Sequence, residues 1–232
     1  MSNKTSTGFG IKVSGNEDVF VKVPASKLRL DDEFMKYEPK TMRESFFKED
    51  AIKVIRVGMY DFLRPVCDPS FDNNRRICYQ PGNKPAVGKS YDWWEEEAKK
   101  YAPERGSRLG TKSEYIAFMA VLIKELVDSG KPVEWAWDAV CNDSKELGHY
   151  WNSRADHYHY ELSATGDREI CGWCDLANTY KILAKDEEAG VFWHAGGYYY
   201  VNGNERPLAG LSPDIFFGEE KIGSCGWLVL EK

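Results

Sequence analysis

The side chains best suited to metal binding or nucleophilic chemistry in this chain are six cysteines (Cys67, Cys78, Cys141, Cys171, Cys174 and Cys225) and four histidines (His149, His157, His159 and His194). Cys171-Gly-Trp-Cys174 is a CxxC, but a structural zinc site needs a second pair of ligands, and none stands at a suitable spacing. A thioredoxin-like site would place the first cysteine at the start of a helix in a βαβ unit. Here it stands in a Gly/Trp-rich stretch. His157-Tyr-His159 would put two imidazoles on one face of a strand, with His149 upstream, a donor set that zinc or nickel could use. The competing reading is a polar, Tyr- and His-rich loop. No GxSxG, P-loop or GxGxxG occurs, and no Ser–His–Asp order is visible. We therefore assign no catalytic residue, no metal ligand and no cofactor.

A different chemistry is written in residues 193–224. This stretch is aromatic, polar and Gly-rich at once, which suits a recognition surface better than a core. Tyr offers contact area at low entropic cost, and Asn and Ser adapt their hydrogen bonds. The candidate ligand-binding residues are Trp193, His194, Tyr198, Tyr199, Tyr200, Asn202, Asn204, Glu205, Arg206, Asp214, Phe216, Phe217 and Glu219. The alternative is a loop-rich half of the fold with its Tyr rings packed on Trp.

Such a surface needs a scaffold. Ile11–Ser14 and Val19–Val23 alternate around Gly15-Asn16-Glu17-Asp18 and read as a β-hairpin. Residues 26–50 read as a short helix or an extended connector. Residues 51–57, Ala-Ile-Lys-Val-Ile-Arg-Val, read as a strand. Residues 64–90, rich in Pro and Gly, read as loop with a short strand near Arg76–Tyr79. Ser90 caps a helix to Ala102, with acids early and lysines late. Thr111-Lys-Ser-Glu114 is a capping box opening a helix to about Asp128, whose face Tyr115, Phe118, Met119, Leu122, Ile123 and Leu126 has helical period. A third helix covers about Val133–Asn142. From Gly148 the helix signals fade, and Cys225–Leu230 reads as a buried strand, central in its sheet. Helices followed by a Trp/Gly-rich β region make an α+β fold.

Composition excludes several classes. With 42% hydrophobic residues and eight Trp, the chain can bury a core, so it is not a wholly disordered protein. The longest apolar run, Ile116–Ile123, is far shorter than a membrane span. The net charge is −6, with Lys and Arg scattered, which argues against nucleic acid as a partner. The first ten residues lack an apolar signal-peptide core, so free thiols in a reducing compartment are expected.

Four segments in order, covering about residues 84–230, resemble the formylglycine-generating-enzyme-like branch of the C-type lectin fold. Lys84 to Tyr101 is similar to its "P-V-x-x-V-S-W-x-x-A-x-x-Y". Arg108-Leu-Gly-Thr-Lys-Ser-Glu-Tyr115 is similar to "R-L-P-T-E-A-E-W", and Gly172-Trp-Cys-Asp-Leu-Ala-Asn178 to "G-L-Y-D-M-x-G-N-V-W-E-W". Ala195-Gly-Gly-Tyr is similar to "R-G-G-S-W", with Gly226-Trp-Leu-Val as the closing "G-F-R-L-V". The departures are Gly110 for Pro, Thr179-Tyr-Lys-Ile for "V-W-E-W" and Trp227-Leu for "F-R". The resemblance implies two main helices on small twisted antiparallel sheets, with Gly196-Gly197 letting chain segments pass closely. It implies no copper oxidase, because only Cys225 follows Gly197. It also implies no iron enzyme of that branch, whose His cluster lies upstream of any His here.

The same branch includes variable proteins of diversity-generating retroelements, which carry their mutable residues in the C-terminal part of the fold. The resemblance therefore implies a ligand- or receptor-binding protein of phage or prophage type, at a virion or cell exterior without a Sec signal. Its partner would be a protein or glycan ligand on a cell surface. Residues 1–48 would be an attachment or oligomerisation segment, and residues 49–232 the ligand-binding domain. A homo-oligomer is expected, with a trimer favoured, and no membrane insertion. The alternatives are a formylglycine-generating-type enzyme with an altered site, or an intracellular interaction domain.

Overall fold

The architecture comes from a computed structural model that describes residues 10–12, 17–148, 165–166, 168–177, 181–186, 191–196, 207–213 and 224–231. The described chain is mixed α and β. Its helices are α1 (Met42–Val57), α2 (Tyr91–Tyr101), α3 (Lys112–Asp128) and α4 (Val133–Cys141).

Strands β1 (Ile11–Lys12), β2 (Val19–Val23) and β3 (Phe62–Pro65) form an antiparallel sheet, opened by the expected hairpin. Strands β4 (Ser70–Phe71) and β5 (Ile77–Cys78) pair as a ribbon in the Pro-rich stretch. Strand β6 (Arg108–Leu109) precedes α3, and β7 (Lys181–Lys185), β8 (Phe192–Ala195), β9 (Leu211–Pro213), β10 (Ser224–Gly226) and β11 (Leu228–Val229) follow the helices. One sheet has the order β10-β7-β8-β9, and β11 pairs with β6. The pairings between these strands are antiparallel except β10 with β7, which is parallel, and a single parallel bridge joins Thr111 to Lys185.

Helix α3 is the axis of the core. Thr111 Oγ1 accepts from the Glu114 backbone N–H, and the Glu114 carboxylate accepts from the Thr111 N–H, so the capping box forms as its spacing predicts. From Tyr115 to Ile123 every side chain is buried. A helix apolar all round must be enclosed, and α1, α4 and β7 enclose this one.

Residues 51–57 are helix, not strand. Ala-Ile-Lys-Val-Ile-Arg-Val repeats apolar-apolar-polar every three residues, which continues a helical stripe as readily as it mimics alternation. Upstream, Thr41 and Glu44 form a second capping box, and Phe47, Ala51 and Val54 follow it onto the buried face. Gly58, at φ 84°, ends the helix. The 26–50 stretch resolves into two short 3₁₀ turns, Ala25–Lys27 and Glu33–Lys36, and then α1. The segment boundary drawn between residues 48 and 49 falls inside α1. Phe20, Val23, Phe34 and Met35 share one core with α3 and α4, and Trp137 Nε1 donates to the Phe34 carbonyl at 2.9 Å.

Thr41 Oγ1 also reaches Asn142 Oδ1 at 3.0 Å, joining the start of α1 to the end of α4. Thr41→Ala is expected to cost about 1–2 kcal/mol, read from a denaturant melt, because it unmakes a cap and a tertiary hydrogen bond together. A loss below about 0.3 kcal/mol would show that the box adds nothing here.

Cys225–Leu230 is buried throughout, but it is neither one strand nor central in a sheet. The chain breaks at Trp227. Before the break, β10 lies at a sheet edge beside β7. After it, β11 pairs with β6, and Leu230 bridges to Leu63 of β3. The apolar run is buried on both faces because it is the seam joining three sheets. Gly226 permits this, since a Cβ there would stand 2.7 Å from the Trp94 ring.

Candidate functional site

The sheet β10-β7-β8-β9 carries the described part of the Tyr-rich stretch. Phe192 fastens β8 to α2 by stacking on Tyr91, with ring centroids 4.1 Å apart and planes 5° from parallel. The turn into β9 is tied to three places. The Tyr115 hydroxyl donates to the Leu208 carbonyl at 2.9 Å, the Leu208 N–H donates to Ser144 Oγ at 2.9 Å, and the Ala209 N–H donates to the Val140 carbonyl at 2.9 Å. A Cβ on Gly196 would sit 1.8 Å from the Pro207 carbonyl oxygen. Gly is therefore required where β8 passes this turn, as expected of that position.

Trp193 lies opposite Ala184 on β7 and Pro213 on β9. Its indole Nε1 donates to Asp186 Oδ2 at 3.1 Å, and Lys112 Nζ stands 3.7 Å from the ring centroid. The same ammonium is 3.7 Å from Asp186 Oδ2. One cation thus serves a ring face and a carboxylate, which orients the half-buried indole. Beside it, Lys185 pairs with Glu95 at 2.7 Å, and the Lys185 hydrogen bond holds the Glu95 carboxyl below the usual glutamate value.

The Trp193 edge opens into a groove of about 490 Å³ between α1 and the 207–211 turn, walled by Arg43, Phe46, Asp50, Lys53 and Leu211. Past Lys53 and Lys112 the α1 flank continues into a second hollow of about 530 Å³ toward Tyr60 and Lys185. Phe46 is 60% exposed, and Val57 and Tyr60 are also exposed. The lining mixes aromatic and aliphatic side chains with charged ones, the two kinds of group a binding groove combines.

Of the residues expected to bind ligand, the structure brings Trp193 into the groove. His194 is half-buried, follows Trp193 on β8 and by strand alternation points to the other sheet face. Tyr198, Tyr199, Tyr200, Asn202, Asn204, Glu205, Arg206, Asp214, Phe216, Phe217 and Glu219 lie outside the described residues, as do His149, His157 and His159. The α1 wall escapes sequence reading because residues 26–50 leave a short helix and an extended connector open, and residues 51–57 read as a strand, so no single long helix is drawn there. The signal that could have found it is Thr41-Met-Arg-Glu44, followed at once by Ser-Phe-Phe.

Among the described residues, no group of three or more His, Cys, Asp or Glu side chains converges as a metal-ligand set. No helix among them is long and apolar enough to cross a membrane. No protein family, curated protein or solved structure matches the chain.

Proposed function

We propose that this chain is a ligand-binding protein on a C-type-lectin-like scaffold of the formylglycine-generating-enzyme branch. It recognises a protein or glycan on a cell surface through its Tyr/Asn-rich C-terminal stretch, as a phage or display protein at a virion or cell exterior. It assembles as a homo-oligomer, with a trimer favoured. The observation that carries the reading is the groove at Trp193. It lies against the very strands, β8 and β9, from which residues 197–206 and 214–223 depart, and it has an exposed aromatic wall on α1. The rigid fastening of β8 to Tyr91, and of the 207–211 turn to α3 and α4, supports it too. Recognition segments serve best when a fixed frame holds their ends.

The test compares the wild-type chain with a triple variant, Tyr198→Ser, Tyr199→Ser and Phe216→Ser, by thermal melt and by binding of labelled protein to a panel of bacterial cells. Binding should fall at least tenfold, because aromatic hot spots dominate such interfaces. The melting temperature should move by no more than about 5 °C, as surface changes do. A melt as early as that of a Trp227 variant would make the stretch core and end the reading, as would the absence of binding to any cell. A near-copy of the 193–224 coding stretch beside a reverse-transcriptase gene would support the retroelement class.

A further inference from the structure

Local sequence pairs Cys174 with Cys171, two residues away in the CxxC. The fold pairs it with Cys67. The Cys174 backbone N–H donates to the Val66 carbonyl at 2.8 Å, and the Asp68 N–H donates to Asp175 Oδ2 at 3.0 Å. Residues 66–68 and 174–175 therefore run side by side. Covalent geometry leaves the Cα atoms of 67 and 174 no more than about 7 Å apart. Disulfides span Cα separations of about 4.4–6.8 Å. The two thiols are 4% and 7% exposed respectively, and all six cysteines are free.

We propose that Cys67 and Cys174 form an oxidative modification site, a dithiol that closes to a disulfide in the presence of a hydroperoxide and reopens with a thiol reductant. This inference does not depend on the ligand-binding reading.

The six thiols differ in a way that selects this pair. The hydrogen bond from Cys67 stabilises the Cys174 thiolate and draws its pKa below the ordinary thiol value. The same bond, with burial, holds Cys67 protonated as the donor. Burial pushes the others up: Cys171 to about 11, Cys78 upward, and Cys141 and Cys225 well above the normal range. The thiolate is the nucleophile, so Cys174 attacks first. Its sulfur attacks one peroxide oxygen. An S–O bond forms, the O–O bond breaks, and the departing hydroxide takes up a proton as water. The Cys67 sulfur then attacks the resulting sulfenic sulfur. The S–S bond forms, the S–O bond breaks, and the hydroxyl leaves as water with the Cys67 proton. The two sulfurs together lose two electrons, and the peroxide gains two.

The link would staple the segment after β3 to the segment before β7, which are far apart in sequence. Closing a loop of about 100 residues constrains the unfolded chain, which in a chain of this size reads as a melting temperature higher by roughly 10 °C.

The experiment treats the full chain with a modest excess of hydrogen peroxide, alkylates it, and maps peptides without reduction. We expect two of the six thiols to be lost, a Cys67–Cys174 peptide, the higher melting temperature, and reversal of all three by a phosphine reductant. Cys67→Ser and Cys174→Ser should abolish the rise, and Cys78→Ser should keep it. Six surviving thiols, a link mapping to Cys171–Cys174 or any other pair, or a link without a rise in melting temperature would each overturn the proposal. The wild-type peptide map decides the question even where a variant fails to fold.

Discussion

Arg108→Ala is expected to lower stability at pH 7 by about 3–5 kcal/mol, a fall in melting temperature of roughly 10 °C or more. Arg108 holds Glu114 through two nitrogens, Nη1 to Oε2 at 2.8 Å and Nη2 to Oε1 at 2.6 Å, while its Nε lies 3.4 Å from Glu231. Tyr60 completes the clamp, donating to Glu114 at 2.5 Å and accepting from Arg108 at 2.6 Å. Glu114 has no exposed surface, whereas the Arg108 side chain is 24% exposed. Deleting the arginine therefore strands a carboxylate away from water, the costlier of the two ways to break this pair.

The pH dependence checks the mechanism. Burial alone would raise the Glu114 pKa, yet the Arg108 hydrogen bonds and charge, with Tyr60 and the Thr111 N–H, bring it below the usual glutamate value. A depressed folded pKa contributes stability that is fully present above the unfolded value, about 4.3, and is lost as pH falls through the folded value. Without Arg108 the burial effect is left to dominate, so the variant carries a penalty that protonation relieves. The difference between wild type and Arg108→Ala should be widest near neutral pH and shrink as the pH falls, first as the buried Glu114 of the variant takes up a proton and then, below about 4, as the wild-type carboxylate does. A difference independent of pH would show that Arg108 acts through packing alone.

Trp227 is the other large effect. Its ring meets Phe62 at 6.0 Å, Tyr115 at 5.4 Å and Phe118 at 6.3 Å between centroids, and it is 3% exposed. Trp227→Ala should cost about 3–5 kcal/mol. The indole also explains the glycine at position 110. A Cβ on Gly110 would stand 2.1 Å from Trp227 Cε3, and the Gly110 N–H donates to the Trp227 carbonyl at 2.6 Å. A proline at 110 would forfeit that bond and meet the ring. Gly110 and Trp227 are thus a matched pair, large against absent. Gly110→Ala should cost about 1–3 kcal/mol by overpacking, and Trp227→Phe should recover part of that loss in the double variant. Strict additivity of the two changes in a denaturant melt would refute the pairing.

The clamp and the pair show how much of the scaffold could be read in advance. The Arg108 and Thr111–Glu114 spacing was readable because a capping box is local, with donors and acceptors three residues apart. Gly110 is plain in the sequence too, but not the reason for it, which lies across the fold at Trp227. Of the candidate site, Trp193 was readable from composition. The Phe46 wall opposite it is not, because the stretch holding it leaves helix and connector equally open, and only its packing on the core makes it one long helix with residues 51–57.

By itself the sequence determined what short-range chemistry decides. It placed the starts of α2 and α3 at Ser90 and Thr111, the end of α3 at about Asp128, the β1–β2 hairpin, and an α+β order of elements. These rest on hydrogen bonds and backbone preferences between residues a few positions apart, so the local pattern contains them. Only the tertiary structure decided the rest. Residues 51–57 are helix because Ala51 and Val54 have a buried face to fill. The terminal apolar run breaks at Trp227 because it must serve β7, β6 and β3 in turn. Cys174 meets Cys67 rather than Cys171 because the backbone after β3 lies beside it. In each case the deciding partner is distant along the chain, and an apolar or thiol side chain does not specify which distant surface will bury it.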